Sequence, residues 1–290
     1  MLFIIILAVL FAERYLLEQE DFRQHLWFRD YCRWFRLLPM GDWLSDTRAA
    51  LISLLLMPVA VILIIHGWTV DTLQGIPEWV FAFAVLIFSL GPRDLEHQVS
   101  AFLYARDNES EEYANRIASE IMQRPVTENE PERSLHVSES VLEQANNRLT
   151  AVLFWFIILG PIGAVIYRLA WLAEQYTRDD SHLENMREQA FRLLHILNWI
   201  PARLLAATFA LVGNFDNTLL AWRHWNDDQQ SLYDADSNSL LRMTGSAAMG
   251  HARSDEQLAP VVEDALGLVL RSLTIWVVAL GLLQLIIWLS

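Results

Sequence analysis

Six apolar blocks run along this 290-residue chain, separated by polar stretches. About 20 consecutive apolar residues make a helix long enough to cross a bilayer core, so such blocks predict membrane spans. Ala49–Trp68 is the cleanest, with Pro58 as an expected kink. Ser272–Leu289 is the second clear span. Met1–Ala12 and Trp79–Leu90 hold 12 residues each. At about 1.5 Å per residue each covers only about 18 Å, so each must extend at one end or thin the bilayer. Met1–Ala12 lacks a basic leader and a small-residue cleavage site, so it does not read as a cleaved signal peptide. Gly91-Pro92 ends the Trp79–Leu90 block.

The other two blocks are interrupted. Leu149–Tyr167 carries Gly160-Pro161-Ile162-Gly163 at its centre, which can kink a spanning helix or turn a re-entrant hairpin. Residues 195–215 read HILNWIPARLLAATFALVGNF, with Asn198, Pro201 and Arg203 inside the apolar run. A polar or charged residue in a membrane segment is costly, which makes it a functional candidate. Proline restricts the residue before it and suits the first helical position, so the pattern predicts a helix starting near Pro201. Arg203 then lies in the first turn. There it binds an anion such as a phosphate or carboxylate, or it snorkels to the interface while Asn198 caps the backbone.

The polar stretches differ in character. Residues 13–48 interleave six arginines (14, 23, 29, 33, 36 and 48) with aromatics, the pattern of a helix lying in the headgroup region. Residues 93–148 are acidic and mostly helical, with Arg106–Gln123 in helical spacing and a loop at Pro125–Pro131. Residues 216–264 form a polar Asn/Asp/Ser-rich loop region. Arginine in short loops sets orientation. That rule places the N-terminus outside the membrane and residues 13–48 and 93–148 in the cytoplasm. Arg168, Arg178, Arg187 and Arg192 fit the rule only if segments 149–167 and 196–212 are re-entrant or interfacial. The expected fold is all-α: a single membrane domain over residues 1–290, with four to six membrane helices.

Composition narrows the chemistry. A hydrophobic content of 54% and a mean hydropathy of +0.25 agree with an integral membrane protein. The net charge of −14 argues against a nucleic-acid partner. All 21 basic residues are arginine. Without lysine the chain cannot be a P-loop ATPase or a pyridoxal-phosphate enzyme. Cys32 is the lone cysteine, and the eight histidines show no metal-ligand spacing, so no metal site is expected.

Glu143, Asn146 and Asn147 precede the Leu149–Tyr167 block, and Arg168 and Glu174 follow it. If the block doubles back, these residues and Arg203 share one side. Carboxylates beside arginines then hold a divalent metal with a phosphate, or they are ordinary helix-end ion pairs. Glu13-Arg14 carries the same two readings. The anion-binding candidates are Asn198, Arg203, Arg168 and Arg124. The supporting candidates are Glu13, Arg14, Glu143, Asn147, Glu174 and His195.

Phe11-Ala12-Glu13-Arg14, the stretch Glu120–Val126, His195 to Arg203 and Ala210 to Phe215 together resemble the AmpE family, inner-membrane proteins linked to β-lactamase induction. That family is in turn similar to the CobD/CbiB cobinamide synthases, membrane enzymes that join an amino-alcohol phosphate to a corrinoid carboxylate with consumption of ATP. Their Asn-x-x-Pro-Ala-Arg motif matches Asn198, Pro201, Ala202 and Arg203. Leu153-Phe154-Trp155 and Glu143 match further family positions. The acidic pair before that motif falls on Leu194 and His195, an Asp-Gly on Asn147-Arg148, an Asn-Thr-Leu-Asp on Trp171 to Glu174, and a Gly-Arg-Asp on Gln123-Arg124-Pro125. The AmpE resemblance implies a regulatory protein of the bacterial inner membrane without synthase activity, modulating β-lactamase induction and cell-wall recycling signals. Its partners would be membrane lipids, a cell-wall precursor or muropeptide, and other cell-wall recycling proteins. The alternatives are an ATP-dependent amide ligase like CobD/CbiB and a muropeptide transporter. A nucleotide or divalent cation is implied only where the synthase-like site survives.

Overall fold

The computed structural model describes residues 2–15, 26–37, 48–71, 76–90, 95–108, 110–127, 129–130, 132–178, 183–228, 236–250 and 261–289. Among the described residues every regular element is helical. The helices are α1 (Leu2–Tyr15), α2 (Leu26–Arg36), α3 (Arg48–Asp71), α4 (Ile76–Ser89), α5 (Leu95–Asp107), α6 (Glu111–Met122), α7 (Glu132–Ala145), α8 (Ala151–Arg178), α9 (Glu184–Val212), α10 (Phe215–Asp227), α11 (Ser237–Ala248) and α12 (Val261–Leu289). A π-helical turn, Asn146–Thr150, joins α7 to α8. Phe22, Arg23, Gly91-Pro92, Glu109, Glu128 and Tyr233 lie outside the described residues.

Four helical stretches are long and apolar enough to cross a membrane: Ala49–Trp68, Glu132–Arg178, Glu184–Val212 and Val261–Ile286. Phe3–Ala12 and Glu78–Ser89 are shorter apolar helices. The expected all-α polytopic fold is therefore observed. Large apolar side chains stand exposed along the spans, with Ile64 at 73% and Ile286 at 66%. Water would penalise such surface, whereas lipid tails accept it at no cost.

The chain divides into two compact units: residues 1–92 with 151–197, and residues 93–150 with 198–290. In the first unit α4 packs against α1, α3 and α8, and Leu86, Leu90 and Val9 are fully enclosed. The amphipathic α2 is tied to α3 by the Tyr31 hydroxyl, which donates to the Leu54 carbonyl at 2.9 Å. In the second unit α7 lies at the centre, packed by α5, α6, α11 and α12. Its core gathers Phe102, Ile121, Val141, Leu142, Phe209, Trp225, Leu240 and Leu268.

Three local expectations are corrected. The spacing over Arg106–Gln123 predicts one helix, but α5 ends at Asp107 and α6 begins at Glu111. At the break both the backbone and the side-chain amide of Asn108 donate to the Tyr104 carbonyl, at 3.1 and 2.7 Å, and the Ser110 amide closes onto the Ala105 carbonyl at 3.1 Å. Residues 216–264, expected as a loop region, carry the helices α10 and α11 among their described residues. Asn214 caps α10 by accepting from the Asn217 amide, and Asp236 caps α11 by accepting from the Asn238 and Ser239 amides. The same Asn and Asp residues that lend the stretch its loop-like composition supply its caps.

The third correction concerns Pro201. It does not start a helix, because α9 runs through it from Glu184 to Val212. An internal proline has no N–H to give the carbonyl four residues back, here that of Leu197. The Trp155 indole N–H donates to that carbonyl at 3.0 Å and replaces the missing bond. Arg203 accordingly lies in a helix interior and has no free helix-start amides beside it.

Gly160 breaks α8 with φ 66 and ψ −153, a left-handed backbone that a side chain would strain, and Pro161 follows it. A Cβ on Gly163 would clash with the Trp155 carbonyl oxygen. Eight residues apart in a straight helix means about 12 Å. The chain therefore bends sharply here, as the Gly-Pro-Ile-Gly run predicts.

Candidate functional site

The second unit buries a core of amides and one guanidinium. The π turn is where it begins. A π turn adds a residue to the helical repeat and re-aims the side chains around it, and such turns occur frequently at functional sites. Asn146, Asn147, Arg148 and Thr150 are all buried in it. Asn146 Nδ2 donates to Asn198 Oδ1 at 3.1 Å, and Asn198 Nδ2 donates to Asn147 Oδ1 at 3.2 Å. Asn198 thus bridges two consecutive asparagines from mid-helix in α9, and it does not cap a helix start. Asn146 Oδ1 is enclosed and accepts no hydrogen bond from the described residues. A buried acceptor of this kind costs about 1–3 kcal/mol if it stays unsatisfied, so it calls for a donor from water or a ligand.

Arg148 extends the core. Its Nη1 donates to Gln98 Oε1 at 2.6 Å and its Nε to Gln144 Oε1 at 3.0 Å. Both acceptors are neutral amides, so these two bonds solvate the cation without neutralising it. Gln144 also donates to the Ile121 carbonyl at 3.5 Å. Five residues along α9 from Asn198, Arg203 lies over the Trp199 ring at 4.0 Å and 5.6 Å from the Trp225 ring. Its Nη1 donates to the Trp199 carbonyl at 2.9 Å. Aromatic faces hold a guanidinium electrostatically while leaving its edge able to donate.

The remaining predicted residues are distributed as follows. Glu143 is paired with Arg242, which also approaches Asp236 at 3.7 Å. Arg124 is exposed beyond the end of α6. In the first unit, the buried Glu174 is held by Arg178 in an i,i+4 pair at 2.9 Å, the helix-end ion pair of the second reading. Arg168 is 2% exposed and stacks 4.3 Å over Trp171. His195 stacks on Phe191 with ring centroids 6.2 Å apart. Glu13 and Arg14 close α1, and their side chains lie outside the described residues.

Of the predicted residues, Asn147 and Asn198 are brought together. Arg148, Gln98 and Gln144 were not singled out from sequence. Arg148 and Gln144 are four apart on one helical stretch, which is a readable signal. Gln98 is 50 residues from Arg148, and no local pattern links them. Among the described residues no three His, Cys, Asp or Glu side chains gather around one point. Amides and guanidinium groups suit carboxylate, phosphate and amide ligands, and they do not compose a divalent-cation cage.

Comparison with known proteins places this core in a family. The family described as CobD/Cbib protein matches residues 10–250. The chain is 29% identical over 234 residues to "Cobalamin biosynthesis protein CobD" of Stutzerimonas stutzeri, covering 74% of this chain and 76% of that protein. It is 29% identical over 204 residues to the protein of the same name from Chromobacterium violaceum, covering 70% and 62%. Similarity to "Protein AmpE" of Shigella flexneri is 36% over 76 residues, 25% of this chain and 27% of that one. No solved structure matches. The AmpE likeness expected from sequence is thus confined to a quarter of the chain, while the CobD/CbiB likeness spans most of it. The chain is an integral membrane protein and belongs to the CobD/CbiB family.

Proposed function

We propose that this protein acts in cobalamin biosynthesis as a membrane amide ligase of the CobD/CbiB kind. It would join the amine of an amino-alcohol phosphate to a corrinoid carboxylate. The amine nitrogen would form a C–N bond to the carboxyl carbon and lose a proton, while the departing carboxyl oxygen leaves on the phosphoryl group that ATP supplies. The family match over residues 10–250 carries this reading. Two features of the second unit support it. Asn198 and Arg203, which stand on the family's Asn-x-x-Pro-Ala-Arg motif, lie on one helix beside the buried asparagines of the π turn. The open acceptor of Asn146 suits an amine or amide N–H, and Arg203 suits a phosphate or carboxylate. No step is assigned to a bound metal, because the described residues offer no carboxylate cage for one.

A second reading is favoured by one observation. The matched stretch of AmpE is the more identical of the comparisons, at 36%. On that reading the protein keeps the polar core to bind a signal metabolite and regulates β-lactamase induction.

The test is expression in a bacterial strain that lacks its own CobD and needs self-made cobalamin to grow. The ligase reading expects growth, with at least about a tenfold fall in cobalamin yield for Asn198→Ala and for Arg203→Ala at unchanged membrane accumulation. No growth from a wild-type chain that accumulates in the membrane would sink the ligase reading. A change in β-lactamase induction in that case supports the second.

A further inference from the structure

We infer that α2 is an interfacial helix, seated in the phospholipid headgroup layer with its Trp34 edge toward the acyl chains and its Arg29 edge at the phosphates. Three contacts position it, each at the end of an apolar helix of the first unit. The Tyr31 hydroxyl donates to the Leu54 carbonyl near the start of α3. The Trp27 ring meets Phe88, the residue before the last of α4, with centroids 5.5 Å apart. The Phe28 ring meets Tyr176, two residues from the end of α8, at 6.3 Å. α2 therefore sits where α3 begins and α4 and α8 finish. Because α3 and α8 contain stretches long and apolar enough to cross a membrane, that place is one membrane face.

The depth follows from Leu54. Pro58 has no N–H for the Leu54 carbonyl four residues back, and the Tyr31 hydroxyl supplies a donor there. Leu54 lies five residues into the apolar stretch Ala49–Trp68, which is about 7.5 Å at about 1.5 Å per residue. Ile52 and Leu56, its neighbours on α3, are exposed apolar side chains, so acyl chains surround the span at this level. Interfacial helices bury their apolar side about 5–10 Å into the boundary between headgroups and acyl chains. Tyr31 reaches the Leu54 carbonyl only from a helix at that boundary.

The edges follow from the helical repeat. Phe28 and Cys32 are buried against the protein, while Arg29, Asp30, Arg33 and Trp34 are exposed. Arg29 and Trp34 are five residues apart, about 140° around a helix of 3.6 residues per turn. Trp34 stacks on Tyr31 with centroids 6.2 Å apart, so its edge is the one beside the side chain that reaches into the bilayer. Arg29 stands on the opposite edge. Arg33 lies between them and pairs with Asp30 at 3.2 Å, an exposed pair too weak to keep it from a phosphate. Water penalises an exposed indole, and hydrocarbon penalises an exposed guanidinium. The headgroup layer accepts both, the indole at the acyl boundary and the guanidinium on a phosphate. This is the placement that the arginine–aromatic pattern of residues 13–48 predicts. The inference rests on the membrane reading of the chain and is independent of the ligase reading.

Site-directed spin labelling of the full-length chain in vesicles of phosphatidylethanolamine and phosphatidylglycerol tests it. Cys32 is the lone cysteine, so Cys32→Ala clears the background for labels at Arg29→Cys, Trp34→Cys and Leu37→Cys. Leu37 is tied to the helix end by its amide, which donates to the Trp34 carbonyl at 3.0 Å. Relaxation by oxygen, which concentrates among acyl chains, and by a nickel chelate, which stays in water, reads each label's depth. Expected is a label at position 34 about 5–10 Å deeper than one at 29, with 37 between the two. Equal depths overturn the inference, and so does a depth that changes steadily from 29 through 34 to 37, as on a helix standing on end. A label at 34 that neither agent reaches overturns it too, because a protein surface then covers that edge. Arg29, Trp34 and Leu37 are exposed, so their labels leave the packing intact. If Cys32→Ala does not fold, brominated phospholipids read the same edge in the native-cysteine chain. Trp34→Phe then lowers the fluorescence that those lipids quench, and no such loss overturns the inference.

Discussion

Trp155 and Pro201 compensate each other, and the compensation is measurable. Pro201 leaves the Leu197 carbonyl without its helical donor, and the Trp155 indole N–H supplies one at 3.0 Å. Trp155→Phe keeps an aromatic ring and removes the donor. The carbonyl, on a residue only 9% exposed, is then buried and unpaired. That costs about 1–3 kcal/mol, beyond any change in packing from indole to phenyl. In a Pro201→Ala background the alanine N–H can donate to Leu197, so the same tryptophan change costs only the packing difference. The four proteins form a double-mutant cycle with an expected coupling of about 1–2 kcal/mol. The assay is reversible chemical denaturation of the purified protein in micelles, with unfolding free energies for all four. Pro201→Ala alone also relieves the ring's clash with the preceding turn, but that gain appears on both sides of the cycle and cancels. Additivity within about 0.5 kcal/mol would show that the indole does not serve the proline gap.

Two further outcomes follow from local geometry. Gly213→Ala places a Cβ 2.5 Å from the Ala248 carbonyl oxygen, where the Asn214 amide also binds, while a Cβ on Gly67 meets nothing within 4 Å. The first change costs about 1–3 kcal/mol and the second stabilises its helix by up to about 1 kcal/mol, as denaturation midpoints read; equal effects would refute the close approach. Burial pushes the Tyr31 phenol up to about 12, with Cys32 adding to the rise. The folded-state value lies above the ordinary 10.0, so the stability it contributes is fully present below pH 10 and is lost as pH rises through 12. A phenolate absorbance titration of wild type minus Tyr31→Phe checks this, and a difference midpoint near 10 would contradict it.

The membrane character, the all-helical fold and a break at Gly160-Pro161 are legible in the sequence. These rest on local properties. A run such as Ala49–Trp68 is apolar enough to fix its environment by itself, and Gly160-Pro161 disfavours a straight helix whatever packs around it. At Pro201 the local rule gives way. A helix start was expected because proline lacks an N–H and restricts its neighbour. Trp155, 42 residues from Leu197, supplies the missing donor and lets the helix continue. The stretch after residue 216 shows the reverse limit, since caps and loops draw on the same Asn and Asp residues and only the helices behind them distinguish the two.

The polar core divides in the same way. The sequence by itself determined that amides and arginines stand inside apolar helices, because their cost in a membrane does not depend on the fold. Asn198 and Arg203 stand out on that ground, whereas Asn147 precedes the Leu149–Tyr167 block and is a candidate only if that block doubles back. Only the tertiary structure decided which of them meet. Asn146 and Asn147 reach Asn198 across about 50 residues of sequence, and Arg148 reaches Gln98 across 50. Side-chain hydrogen bonds need donor and acceptor within about 3 Å, a condition set by helix packing and by the extra residue of the π turn. Helical periodicity carries no information about either.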